Sequence, residues 1–272
     1  MLACAAMLLR RAALLLLALS ACRPAAEPAV VSAPDVESGL DEPAIRAIVE
    51  DPARPAAERE LDPGRKPDEL LRFLALRQGM RLADLGAGRG YTTFLLARAV
   101  GPDGVVYAQN NKFVTERFLE PAWTERLKSP ELRNVVRVDR EFDDPLPSEA
   151  TELDGVINVL FYHDTYWMGT DRARMNRAIF AALRPGGFYV IVDHSARAGA
   201  GASEAESLHR VEESTVVDEV LQAGFERAGS AEFLRNPDDP RDWNAAPPAA
   251  TAAGKRGTAD RFVVKFTKPA AL

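Results

Sequence analysis

Between residues 81 and 192 short apolar runs recur, each bounded by glycine, proline or charge: Arg81-Leu82-Ala83-Asp84-Leu85, Val105-Val106-Tyr107-Ala108, Asn134-Val135-Val136-Arg137-Val138, Gly155-Val156-Ile157-Asn158-Val159-Leu160 and Gly187-Phe188-Tyr189-Val190-Ile191-Val192. Runs of this length fit strands, and apolarity that is continuous rather than alternating fits strands covered on both faces. The stretches between them change period. Tyr91 to Val100, Lys112 to Leu127 and Arg172 to Leu183 carry apolar residues at helical spacing. Upstream, Ile45, Ile48 and Val49 mark a helix from Glu42. Pro67-Asp68-Glu69 opens another with Leu70, Leu71, Leu74 and Leu76 on its apolar face, stopped by Gly79. Asp62-Pro63-Gly64-Arg65-Lys66-Pro67, between the two, reads as a turn. Strands alternating with helices predict an α/β domain on a doubly wound, mostly parallel sheet.

The two ends of the chain depart from this rhythm. Near the C-terminus, Gly224 to Leu234 and Arg261 to Phe266 read as two more strands with no recognisable helix between them. They predict an antiparallel pair at one edge of a seven-stranded sheet, with Asn236 to Thr258, heavy in Pro, Ala and Asp, as a long surface loop. At the N-terminus, Arg10 and Arg11 precede the apolar run Ala12 to Leu19 and the small residues Ser20 and Ala21, the layout of an export signal. That run is short of the roughly 20 residues a helix needs to cross a hydrocarbon core. Leu19-Ser20-Ala21-Cys22 resembles the lipobox of bacterial lipoproteins. The resemblance implies cleavage before Cys22 and a lipid anchor on it, hence a membrane partner and an envelope location facing the periplasm. Arg23, rather than Asp, after Cys22 favours the outer membrane. The organisation expected is a signal over 1–21, a flexible tether over 22–40 and one domain over 41–272.

Cysteine count and charge narrow the picture. Cys4 and Cys22 are the only cysteines, so the domain has no disulfide and stands on its core, for which 47% hydrophobic residues suffice. The net charge of −6 is spread along the chain without a basic block, which argues against a nucleic-acid partner.

The chemistry is concentrated after the first strand, where Asp84-Leu85-Gly86-Ala87-Gly88-Arg89-Gly90 leads into a helix. Bare glycine backbone and a helix N-terminus above a strand end suit a dinucleotide or S-adenosylmethionine, or serve only close strand–helix packing. From about Pro67 to Lys268 the chain resembles class I S-adenosylmethionine-dependent methyltransferases, through this loop, Leu183-Arg184-Pro185-Gly186-Gly187 and the terminal strand pair. It further resembles a family of predicted exported bacterial methyltransferases. The residues concerned are Arg65-Lys66-Pro67, Ala83 to Tyr91, Tyr162-His163-Asp164, Asp193-His194 and Leu208-His209-Arg210. The resemblance implies a Rossmann-like fold and S-adenosylmethionine as cofactor. Gly86, Ala87, Gly88 and Gly90 would then approach its amino-acid part, and Asp84 would orient the loop or meet its amino group. The position of the acid that grips the ribose falls on Asn110, a weaker acceptor than a carboxylate. Asp139, Asp143 or Asp144 would meet the adenine.

All three histidines lie between positions 163 and 209. His163 closes the fourth strand and His194 the fifth, each beside an aspartate, Asp164 or Asp193, where doubly wound folds bind ligands; His209 is expected in a helix beyond. Two chemistries fit. His163 or His194 acts as a general base with Asp164 or Asp193 fixing the tautomer, or Asp164, Asp193 and an imidazole such as His194 hold a divalent metal. Phe161, Tyr162, Tyr166 and Trp167 bracket the fourth-strand site, Phe161 as core packing and Tyr166 and Trp167 as a pocket wall or lid, while Arg210 is expected to pair with an acidic substrate group or, on a helix surface, with Glu212 or Glu213. The expected function is methyl transfer from S-adenosylmethionine to a small-molecule nucleophile. The alternatives are a non-catalytic binding module on the same fold and a metal-dependent enzyme built on the His/Asp cluster.

Overall fold

The computed structural model describes residues 39–270. The expected signal, Cys22 and nearly all of the tether lie outside the described residues. Seven strands form one sheet: β1 (Arg81–Leu85), β2 (Val105–Asn110), β3 (Val135–Asp139), β4 (Leu153–Val159), β5 (Leu183–His194), β6 (Glu226–Ala231) and β7 (Arg261–Thr267). Their order is β3-β2-β1-β4-β5-β7-β6, parallel except for β7, which runs antiparallel to both β5 and β6. This is the seven-stranded sheet with an antiparallel edge pair that the apolar runs predict. The sheet order reverses between β1 and β4, so a crevice opens over the carboxyl ends of those strands.

Both sheet faces are covered, which is why the central strands are apolar throughout. On one face Leu82, Val106 and Ile157 pack with the helices Glu42–Val49, Pro67–Leu74 and Tyr91–Val100. On the other, Ala83, Val156 and Tyr189 pack with Arg172–Ala182 and Glu213–Gln222. Among the described residues no helix is long and apolar enough to cross a membrane.

Several expectations fail for physical reasons. The helix expected over Lys112 to Leu127 breaks into the pieces Lys112–Val114, a π-helical turn Thr115–Leu119, and Ala122–Arg126, because Pro121 cannot continue a helix ladder. Trp123, in the last piece, is fully buried. Asp62–Arg65 forms a single helical turn rather than a plain turn. The segment 236–258 contains the helix Pro247–Ala252 and buries Asp239, Ala245 and Ala250, so it is no simple surface loop. His209 stands on no helix: its φ is +51°, and the next helix starts at Glu213. Arg210, expected on a helix surface beside Glu212 or Glu213, has no exposure and pairs with Asp239 at 2.9 Å.

Candidate functional site

The loop after β1 turns over three glycines at positive φ: Gly86 (64°), Gly88 (59°) and Gly90 (89°). Two of them are required by packing. A Cβ on Gly86 would stand 2.4 Å from the Phe161 ring, and one on Gly90 would stand 2.7 Å from Trp123. Gly88 differs, because a Cβ there would meet nothing nearer than the Gly86 carbonyl at 3.9 Å. With Gly86 and Ala87 it lines a cavity of ≈ 720 Å³, within the usual range for small-molecule sites. The loop is held from β2: Gly86 N–H donates to Gln109 Oε1 (3.2 Å) and Gly88 N–H to Asn110 Oδ1 (2.9 Å), while Asn110 Nδ2 donates back to the Gly88 carbonyl (3.2 Å). Asn110 therefore spends both ends of its amide on the loop. It is buried away from the cavity instead of facing it as a ribose contact.

Asp84, at the end of β1, lines the same cavity but is only 1% exposed. Burial pushes its carboxyl up to about 7, against the Thr93 hydroxyl that donates to it at 2.6 Å and the charge of Arg65. Asp143 faces elsewhere, paired with Arg174 at 3.2 Å. The aromatic wall expected from Tyr166 and Trp167 is instead supplied by Phe161, which lines the cavity and stacks on Phe142 with centroids 4.4 Å apart. Tyr166 lies under the Arg172 guanidinium, and the Tyr162 hydroxyl is engaged with Glu219 and Asn176. Trp167 donates its indole N–H to Asp164 Oδ1 at 2.8 Å.

The other end of the cavity gathers His163, Asp164, His194 and His209. Adjacent β4 and β5 bring the Asp193 carboxylate against His163: it accepts from His163 N–H (2.7 Å), stands 2.6 Å from His163 Nδ1, and accepts from His194 N–H (2.8 Å). Asp193 is fully buried, so it positions His163 and does not itself face the cavity. Burial opposes charge on His163, but Asp193 and Asp164 outweigh it and push the imidazole up to about 10. Asp164 goes the other way: burial would raise its carboxyl, yet hydrogen bonds from His163 and His209 hold it well below the usual range. His194 is neutral at ordinary pH, since burial and the charge of His163 push it well down, and its Nδ1 is buried with no partner among the described residues.

The set Asp164, Asp193 and His194 is thus not brought together as metal ligands. The atoms that converge are His163 Nε2, Asp164 Oδ1 and His209 Nδ1, each 3.2 Å from the other two. Sequence reasoning left His209 without a role because it placed that residue on a helix. It also missed a second cavity of ≈ 320 Å³, which shares Leu160 and His194 with the first and is lined by Arg65, Arg256 and Arg261. Among the described residues none of these arginines has an ion-pair partner. Arg65 lies over the Tyr91 ring at 4.4 Å, and Arg261 donates only to the carbonyls of Ala259 and Gly257.

Comparison with solved structures places this geometry among known folds. A SAM-dependent methyltransferase from Aquifex aeolicus superposes with a TM-score of 0.53 at 18% identity, over 84% of this chain and 99% of the other. The [4+2]-cyclase SpnF superposes with a TM-score of 0.54 at 16% identity, over 76% and 82%. The fold is that of class I methyltransferases. One of these two matches is named for a cyclisation, so the fold alone does not fix the reaction. In sequence, the chain is 32% identical over 139 residues to the ribosomal RNA large subunit methyltransferase E of Oleidesulfovibrio alaskensis, covering 50% of this chain and 64% of that protein. The match thus spans less than two thirds of that relative. No protein-family model matches the chain.

Proposed function

We propose that this chain transfers the methyl group of S-adenosylmethionine to a small anionic acceptor. The observation that carries the reading is the bare backbone at Gly88, open to a cavity that continues from the buried carboxylate Asp84 to the histidine cluster. The amino-acid part of the cofactor would lie along Gly86 to Gly88, and the acceptor between its sulfonium and His194. A lone pair of the acceptor would form the new bond to the methyl carbon as the C–S bond breaks. The electrons of that C–S bond would stay on sulfur to give S-adenosylhomocysteine, and the acceptor's proton would pass to water, since burial and the charge of His163 leave His194 a poor base. Holding the two reactants in line supplies most of the rate.

Arg65, Arg256 and Arg261 support an acceptor with a carboxylate or phosphate, since unpaired guanidiniums recognise such groups by paired hydrogen bonds. They line a recess rather than an open face, and the chain's net charge is −6, which favours a small molecule over RNA. RNA remains a second acceptor class to assay because of the ribosomal RNA methyltransferase relative.

Calorimetric titration of the full chain with S-adenosylmethionine tests the reading, with micromolar binding expected. Gly88→Asn keeps a residue type that tolerates the left-handed backbone but adds a side chain to a residue lining the cavity. It should weaken cofactor binding at least tenfold with little change in melting temperature. No heat and no ligand-induced rise in melting temperature from the parent chain would sink the reading in favour of a module that binds something else. Methylation of ribosomal RNA but of no small acid would overturn the acceptor class alone.

A further inference from the structure

We propose that His163, Asp164 and His209 form a binding site for one first-row transition-metal dication at the acceptor end of the cavity. His163 Nε2, Asp164 Oδ1 and His209 Nδ1 make a triangle with all three sides 3.2 Å. Ligands about 2.0–2.1 Å from an ion stand ~3.3 Å apart in a tetrahedron and ~2.9 Å apart in cis positions of an octahedron, so the triangle needs almost no rearrangement. An ion about 2.1 Å from each atom sits roughly 1 Å out of their plane. All three residues line the cavity, so coordination positions beyond these three are available to a ligand.

The surroundings have the features of a built site. The His163 Nδ1 lies 2.6 Å from the buried Asp193 carboxylate, the arrangement that orients a metal-binding imidazole with its Nε2 toward the ion, which displaces the Nε2 proton on binding. Asp164 is oriented by the Trp167 indole N–H. His209 is held at a φ of +51°, a conformation costly for a residue with a side chain and kept only where the surroundings enforce it. They do so here: the adjoining Arg210 is locked by Asp239, by the Ser195 carbonyl at 3.0 Å and by the Trp243 carbonyl at 3.1 Å. Two imidazoles and one carboxylate suit Zn²⁺, Fe²⁺, Co²⁺ or Ni²⁺, whereas Mg²⁺ and Ca²⁺ take oxygen ligands. The site stands independently of methyl transfer; only its use, holding an acceptor oxygen and lowering the pKa of its hydroxyl, rests on that reading.

Titration of metal-depleted full chain with Co²⁺, followed by visible absorption and by displacement with Zn²⁺, should show one equivalent bound at micromolar affinity or better. His209→Ala should weaken binding at least 100-fold. His209→Cys should retain the ion and add a thiolate-to-cobalt charge-transfer band, which arises only if residue 209 is a ligand. Gly88→Asn should lose S-adenosylmethionine binding and keep Co²⁺, so failure of one reading is separable from failure of the other. The proposal is overturned if the parent chain takes up no Co²⁺ or Zn²⁺, if His209→Ala binds as the parent does, or if Mg²⁺ binds more tightly than Zn²⁺.

Discussion

A carboxyl group closed off from water holds its proton more tightly than one in solvent, and Asp84 is such a group beside the glycine loop that lines the cavity. Its ordinary value is 3.8 and its folded value about 7, with burial as the main cause. Folding therefore takes up a proton between those two values. The stability associated with Asp84 is fully present below about pH 4, declines as pH rises through the window, and is lost above about 7. Asp84→Asn keeps an oxygen to accept from Thr93 and cannot ionise, so it should match the parent near pH 4 and melt on the order of 5 °C higher at pH 8. Equal melting temperatures at pH 8 would show that Asp84 ionises in the fold at little cost. The same shift makes a prediction for the ligand. A cationic amino group placed near Asp84 favours its ionised form, so S-adenosylmethionine should bind more tightly at pH 8 than at pH 6 and release protons near pH 6.5. Titrations in buffers of different ionisation heat measure that release directly, and a pH-independent affinity would remove Asp84 from the cofactor site.

Two segments, 195–211 and 236–258, contribute His209, Ala245 and Pro247 to the lining of the cavity, and a buried ion pair joins them. Arg210 and Asp239 are both out of solvent, and Asp239 also accepts from the Trp243 indole and from Asp260 N–H. Removing one partner of such a pair leaves an uncompensated charge in the interior, at about 3–5 kcal/mol. Asp239→Asn should accordingly lower the melting temperature by on the order of 10 °C and weaken Co²⁺ binding, because His209 is carried by the backbone that Arg210 pins. An unchanged melting temperature would mean that the segments are held by other contacts. These segments also mark what the sequence hides. Strands β1 to β5 and β7 were legible because each carries a short apolar run bounded by glycine or charge, and the placing of His163 and His194 at the ends of β4 and β5 followed from the strands alone. Segment 236–258 has few large apolar residues and is ordered by polar contacts to residues such as Ser207 and Arg210, which apolar periodicity does not register. The role of His209 was hidden for the same reason: it reaches the cluster through the Ser195–Val211 bridge and the Arg210 contacts, not through a helix. Asn110 was misjudged differently, since its position on β2 was right and only its partner, the Gly88 backbone, was not.

At the scale of the whole chain, the proposed use of the cavity depends on where the domain would meet S-adenosylmethionine. An export signal over 1–21 with a lipid anchor at Cys22 is an expectation from the sequence that lies outside the described residues, and among the described residues no helix is long and apolar enough to cross a membrane. Membrane association would then depend on acyl chains at one residue, each buried CH₂ contributing about 0.8 kcal/mol. Cys22→Ser should abolish labelling with a radioactive fatty acid and move the protein from the membrane pellet to the soluble fraction. Its melting temperature should stay within about 1 °C of the parent's, because the core of residues 39–270 is built without Cys22. A parent chain that takes no label, or a variant that stays with the membrane, would sink the anchor. The outcome also bears on the chemistry. S-adenosylmethionine is made in the cytoplasm, so a labelled, exported chain that binds it at micromolar affinity requires a route for the cofactor across the inner membrane. A labelled chain that binds only metal and a small acid would instead place the work of this fold at His163, Asp164 and His209, with the glycine loop retained for packing against Phe161 and Trp123.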